Sequence, residues 1–208
     1  VGRLEGVGIA FLPRHGKGHR ISPSELPARA NIYALKSLGV EHIIAICSAG
    51  SFKKEIEPGH LLIPDQLIDR TRSRVNTFFG EGIVAHIPFA EPFCPSLSRI
   101  RYQAAKEVGD RVHNGGTYVV MEGPLFSTKA ESFLYRSWGA SVIGMTALPE
   151  AKLAREAEIC YATLACVTDY DCWREAEEGV SMDQVLRTMS ENTRAIQELL
   201  PDLLGRLA

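Results

Sequence analysis

Two aspartates two residues apart, Asp169 and Asp171, follow the apolar run Ile159–Val167 in the segment ICYATLACVTDYDCW. That run suits a strand buried on both faces. Polar groups at the carboxyl end of such a strand are where open α/β sheets bind ligands. If strand geometry persists past Val167, both carboxylates point to the same side. An ionised carboxylate only accepts hydrogen bonds. One of the pair can therefore take an exocyclic amine while the other shares a proton with a ring nitrogen, the pattern adenine offers at N6 and N7. The plainer reading, an ordinary loop with solvated aspartates, is the one that Asp-x-Asp alone favours. A metal site is not indicated, because no His or carboxylate cluster stands beside the pair at a ligand spacing.

A second group capable of chemistry is Pro13-Arg-His-Gly-Lys-Gly-His-Arg20. Its glycines let backbone amides approach a ligand. Arg14 suits bidentate binding of a phosphate and His15 can donate from a ring nitrogen; a solvated basic turn is the alternative. Cys47-Ser-Ala-Gly-Ser51 is a third group. Small residues after a buried strand leave room for an anion on backbone amides, although a tight structural turn has the same composition. Phe126 offers a face on which a flat base can stack, or a core side chain.

Elements that would position these groups alternate along the chain. Strands are expected at Gly6–Leu12, His42–Ile46, His60–Pro64, Thr117–Met121, Ser141–Gly144 and Ile159–Val167. Helices are expected from a Ser24 cap to Leu38 with Gly39 as the stop, over Ser96–Val108, Thr128–Trp138 and Leu148–Ala157, and from Gly179 and Ser181 to about Leu204. Asp65–Gly82 reads as polar and turn-rich, with Arg70, Arg72 and Arg74 on the surface or at a subunit contact. His86–Pro95 is too rich in proline for regular structure and reads as a long ordered loop, of the kind more often functional than idle. The alternation predicts an α/β fold: a single domain over residues 1–208 with a mixed, largely parallel sheet flanked by helices. Segments 13–20, 47–51, 145–146 and 168–171 all follow strands.

Composition narrows the function classes. At 208 residues, 45% hydrophobic and 23% charged, the chain can bury a sizeable core. A net charge of −2 argues against a nucleic-acid partner. No apolar run is long enough to span a membrane, and no signal peptide is visible. The five cysteines, Cys47, Cys94, Cys160, Cys166 and Cys172, are scattered without a CxxC pair. Reduced thiols in a cytoplasmic protein are expected, several as small core residues. The first residue is Val1 rather than Met, and a strand follows almost at once, so the chain reads as a fragment or an unusually short relative of something longer.

RHG at 14–16, ANIYALK at 30–36, DQLIDRT at 65–71, HIPFAEPFCP at 86–95, EGPLFSTKAES at 122–132, GMTALPEAKLAREAEICYA at 144–162 and TDYDCW at 168–173 together resemble the 5′-methylthioadenosine phosphorylases, a branch of the trimeric purine nucleoside phosphorylase family. The resemblance covers nearly the whole chain. It implies phosphorolysis of 5′-methylthioadenosine to adenine and 5-methylthioribose-1-phosphate, with inorganic phosphate as co-substrate, no cofactor and a homotrimer. It also assigns roles. Arg14, His15 and Thr146 would bind phosphate, with Ser48 nearby through its backbone and Cys47 beside it. Phe126 and Met145 would flank base and ribose. Asp169 would be the general acid at N7 and Asp171 the acceptor from N6. Met182, Val185 and Leu186, with His19, would line the methylthio end, and His86 would reach into a neighbouring subunit's site. The neighbouring expectations are adenosine or a 6-oxopurine nucleoside as substrate, or a weakened relative that only binds nucleosides. Relatives with a 6-oxopurine preference carry Asn where Asp169 stands. Departures from the family are Cys47 for Thr or Ser, Leu125 for Arg, and the lack of a counterpart to the family's first strand and glycine-rich phosphate loop.

Overall fold

A computed structural model describes residues 1–108, 111–174 and 182–206, the side chains of 107, 108 and 182–186 excepted. Nine strands and five α-helices occur among them. The strands are β1 (Gly2–Leu4), β2 (Val7–Ile9), β3 (His42–Ser51), β4 (Leu61–Ile63), β5 (Gln66–Arg70), β6 (Val112–Asn114), β7 (Thr117–Met121), β8 (Val142–Gly144) and β9 (Cys160–Asp169). The helices are α1 (Ala28–Ser37), α2 (Pro95–Val108), α3 (Lys129–Ser137), α4 (Glu150–Glu156) and α5 (Met182–Gly205).

Seven strands form one sheet in the order β5-β7-β8-β3-β9-β4-β6. The pairs β5–β7, β7–β8, β3–β9 and β4–β6 are parallel, whereas β3–β8 and β4–β9 are antiparallel. The expected mixed, largely parallel sheet is present. β9 is buried at every position from Tyr161 to Asp169. Its period of two divides the core between the two faces. Tyr161, Ala165 and Val167 pack with Ile32 of α1 and Leu153 of α4. Leu164 and Cys166 pack with Ala104 of α2 and Leu199 and Leu203 of α5. Among the described residues no helix is long and apolar enough to cross a membrane.

Several boundaries differ from the sequence expectation, each for a local reason. The strand expected over Gly6–Leu12 is the shorter β2, paired with β1 in a separate hairpin. Glu5 and Gly6 both have positive φ there, as a two-residue hairpin turn requires. The helix expected from Ser24 begins later. Ser22 and Glu25 box a 3-10 turn over Pro23–Glu25, and Pro27 forces Leu26 into extended geometry before α1 can start. β3 does not stop at Ile46 but runs to Ser51, so Cys47–Ser51 is strand rather than turn. Gly50 and Ser51 pair with Ile143 and Val142 on β8, while His42–Gly50 pair with β9. Asp65–Gly82 contains the edge strand β5, and β6 was not foreseen. Thr128 caps α3 with a reciprocal Thr128–Glu131 box, close to where the sequence placed it.

The expectation of reduced thiols fails at one pair. Cys94 and Cys160 form a disulfide, with 5.4 Å between their Cα atoms. The Cys94 amide donates to the Tyr161 carbonyl at 2.8 Å, which brings the end of the proline-rich loop against the first residue of β9. Cys47, Cys166 and Cys172 are free. The crosslink closes a separation of 66 residues. Removing it in a Cys94→Ala/Cys160→Ala double variant should lower unfolding free energy by about 2–4 kcal/mol through restored denatured-state entropy. Urea denaturation of the oxidised, reduced and doubly substituted chains checks this; a wild-type midpoint that reductant does not move contradicts it.

Candidate active site

The carboxyl end of β9 and the end of β3 meet over one glycine. A Cβ on Gly50 would lie 2.9 Å from Asp169 Oδ1 and 3.3 Å from both Asp171 Cβ and the Asp171 amide nitrogen. Glycine is therefore required for the acids to settle against the strand. The pair is not aligned by a continuing pleat, as the spacing suggested. β9 ends at Asp169, and Asp171 has φ +54°. An Asx turn holds them instead: the Asp171 amide donates to Asp169 Oδ1 at 2.7 Å. The Thr168 hydroxyl donates to Asp169 Oδ2 at 2.7 Å and lies 3.4 Å from the Ala49 carbonyl. Trp173 ties the segment down by donating from its indole nitrogen to the Ser51 carbonyl at 2.7 Å, under the Arg136 guanidinium.

Burial pushes the Asp169 carboxyl above the ordinary carboxylate range, and the nearby Asp171 charge adds to it against the pull of the Thr168 hydroxyl and Asp171 amide. Burial also raises Asp171. Both shifts favour a proton held in the pair.

A cationic corner faces the acids across the same cavity, whose volume is about 960 Å³. Arg14 arrives on the loop after β2. Its Nε donates to Glu150 Oε1 at 2.9 Å and one terminal nitrogen donates to Thr146 Oγ1 at 2.8 Å. Burial works against the charge, yet the Glu150 carboxylate holds the Arg14 pKa above its usual value. Glu150 also accepts from Tyr161 OH at 3.0 Å, and the Thr163 hydroxyl donates to that phenol at 3.4 Å. His15 stacks on His19 with ring centroids 4.1 Å apart, and its Nδ1 donates to the Ile21 carbonyl at 2.8 Å. Burial lowers the His15 pKa, with His19 and Arg14 adding to the effect against the Ile21 carbonyl, so the neutral ring is favoured.

Arg14, His15, His19, Cys47, Ser48, Phe126, Met145, Thr146, Asp169 and Asp171 all line the cavity. The sequence reading drew these from distant segments, and the fold brings them together. Cys47 is placed less openly than a phosphate donor would be. It is buried, with Sγ 3.8 Å from the Leu164 carbonyl and 3.4 Å from Tyr118 OH. His86 is exposed and does not line this chain's cavity. The side chains of Met182, Val185 and Leu186 lie outside the described residues. Further along α5, Met189, Asn192 and Thr193 reach the cavity, and Asn192 Nδ2 donates to the Val167 carbonyl at 3.3 Å.

Residues the sequence reading missed are Glu150, Arg74 and these α5 positions. Glu150 could have been found as a lone acid between apolar residues in ALPEAKLA. Arg74 was read as a surface or subunit-contact cation, yet its side chain is 3% exposed. Among the described residues no group of three or more His, Cys, Asp or Glu could hold a metal ion. The arrangement suits a bipartite ligand: an anion beside Arg14 and Thr146, and a planar ring with donor and acceptor edges beside Asp169 and Asp171.

The acid pair has a pH signature. Ionising Asp169 costs more in the folded than in the unfolded chain. The penalty is absent below the unfolded value near 3.8, grows as pH rises through the raised folded pKa, and is constant above it. Asp169→Asn removes the penalty while keeping an acceptor for the Asp171 amide. Its stability relative to wild type should therefore increase between pH 3 and neutrality, read from urea midpoints; a difference independent of pH contradicts the assignment.

Comparison with known proteins agrees with this geometry. The family model described as "Phosphorylase superfamily" matches residues 1–204. The S-methyl-5′-thioadenosine phosphorylase of Geobacter sulfurreducens is 56% identical over 207 residues, covering 99% of this chain and 72% of that protein. A crystal structure of a methylthioadenosine phosphorylase from an antarctic soil metagenomic library superposes with a TM-score of 0.94 at 49% identity, over 99% of this chain and 73% of that one. Methylthioadenosine phosphorylase from Schistosoma mansoni in complex with adenine gives a TM-score of 0.89 at 40% identity, over 94% and 75%. A family model matched from residue 1 to residue 204 and a relative 56% identical over 99% of this chain give one conclusion: the chain belongs to the phosphorylase superfamily.

Proposed function

We propose that this chain catalyses phosphorolysis of 5′-methylthioadenosine, giving adenine and 5-methylthioribose-1-phosphate. The observation that carries the reading is the Asp169–Asp171 pair settled on Gly50, in one cavity with the Arg14–Thr146 corner. The S. mansoni relative binds adenine, and the G. sulfurreducens relative bears the name of this activity.

In this reading the glycosidic bond breaks with positive charge gathering on the ribose and negative charge on the purine. Asp169, whose pKa burial raises, delivers a proton to N7. Asp171 accepts from the N6 amine. Phosphate lies against Arg14, Thr146 and the Ser48 backbone, stabilises the ribosyl cation and attacks its C1′. Glu150 fixes the Arg14 fork while leaving a terminal nitrogen for the anion. His15 commits its Nδ1–H to the Ile21 carbonyl, so in the neutral ring Nε2 carries the lone pair and accepts from a hydroxyl of hydrogenphosphate. Phe126 and Met145 flank base and sugar. His19, with Met182, Val185 and Leu186, lines the methylthio end, where each apolar group contributes about 1–3 kcal/mol of discrimination. Phosphate serves as co-substrate and no cofactor is used. The working form is a homotrimer in the cytoplasm, with His86 completing a neighbour's site.

Adenine release followed by chromatography tests this. Wild-type chain should release adenine from 5′-methylthioadenosine only when phosphate is present, and Asp169→Asn should lower kcat by about 10²–10⁴, the range of a lost general acid. Release without phosphate, or an Asp169→Asn enzyme of undiminished rate, overturns the reading.

A further inference from the structure

Arg74 has no part in the chemistry above, yet it is the most heavily engaged cation in the described chain. It stands in the loop after β5. Thr77 Oγ1 and the Phe78 amide anchor that loop to the Glu156 carboxylate at 2.6 and 2.7 Å, and the Arg72 amide anchors it to Glu122 Oε2 at 2.7 Å. Between these anchors the Arg74 side chain passes inward. One terminal nitrogen donates to the carbonyls of Met145 and of Leu148, the latter at 2.6 Å. The other donates to the carbonyls of Glu122 and of Met121, the latter at 3.3 Å. Nε lies 3.4 Å from Glu122 Oε1.

These four carbonyls belong to two segments. β7 and β8 are paired only as far as Val120 and Gly144. Beyond that point one chain leads through Gly123 to Phe126, on the base side of the cavity, and the other through Met145 to Thr146, on the anion side. Arg74 spans the two where the ladder has ended. The segments also touch directly: a Cβ on Gly123 would lie 2.5 Å from Met145 Sδ, so their separation is set closely. A planar fork with donors on both sides can hold two pairs of carbonyls at fixed spacing, which an ammonium cannot.

We infer that Arg74 is a positioning residue for the reaction: it fixes the distance between the segment that flanks the base and the segment that holds the anion. The inference rests on the phosphorolysis reading. It does not place Arg74 in contact with either ligand. In the phosphorolysis reading each ligand keeps contacts outside the two segments, the base at Asp169 and Asp171 and the anion at Arg14, so loss of the fork leaves the separate affinities nearly intact. What suffers is the alignment of phosphate with C1′, and misplacement by about 1 Å costs on the order of 10²-fold in rate.

The experiment compares wild type with Arg74→Lys and Arg74→Ala, all rates normalised to folded protein by calorimetry. Expected for Arg74→Lys are adenine and phosphate dissociation constants, each measured alone, within about threefold of wild type, and kcat at least 30-fold lower. Expected for Arg74→Ala is partial recovery of kcat with added guanidinium but not with added ammonium. A merely structural role gives a lower Tm with an unchanged kcat per folded molecule, and that result overturns the inference. So does equal loss of both affinities with no guanidinium rescue. If wild type itself shows no phosphate-dependent release, the phosphorolysis reading has failed, whatever the variants do.

Discussion

The desolvation of Asp169, which raises its carboxyl pKa, is the constraint on which the remaining architecture depends. β9 supplies it by being buried from Tyr161 onward and ending at the acid. β3 supplies the other half by running past its expected end and placing Gly50 beneath both carboxylates. Any side chain at Gly50 would push the acids outward. The pair is then fixed by its own backbone through the Asx turn, and the indole of Trp173 anchors the segment to Ser51.

The opposite corner solves the converse problem. A guanidinium shielded from solvent must keep its charge and its orientation. Glu150 does both, and its second oxygen is occupied by Tyr161. Tyr161 lies on the strand that ends at Asp169, so acid and cation share one rigid body. Charge balance is local: one carboxylate is assigned to Arg14, and the acid pair is left to titrate with its own environment. His15, stacked on His19 and with its charged form disfavoured by burial, adds a polar group to this corner.

Much of this was legible in the sequence. The apolar run before Asp169 marked a strand buried on both faces, and the helix expected over Thr128–Trp138 falls within a residue of α3 at each end. RHG, Met145-Thr146 and TDYD converge in space as expected, because each follows a strand whose end opens on the same cavity. Other features were hidden for identifiable reasons. Small residues at Cys47–Ser51 signify a turn as readily as a strand under another chain, and only pairing, to β9 through Gly50 and to β8 at Gly50 and Ser51, distinguishes them. Arg74 reads as solvated because its partners are backbone carbonyls, which leave no mark on side-chain pattern. The Cys94–Cys160 bond joins residues with no recognisable spacing. Glu150 hides inside a helix whose apolar neighbours dominate its periodicity.

The covalent tie between Cys94 and Cys160 has a mechanical corollary. It encloses α2, β6, β7, α3, β8 and α4 in one loop of backbone, so the two segments spanned by Arg74, at Met121–Glu122 and at Met145–Leu148, both lie inside a closed ring. A protease that cuts once within that ring produces two polypeptides that travel as a single species until the sulfurs are separated. Those two segments would then stay tethered through the bridge, even with the main chain severed between them.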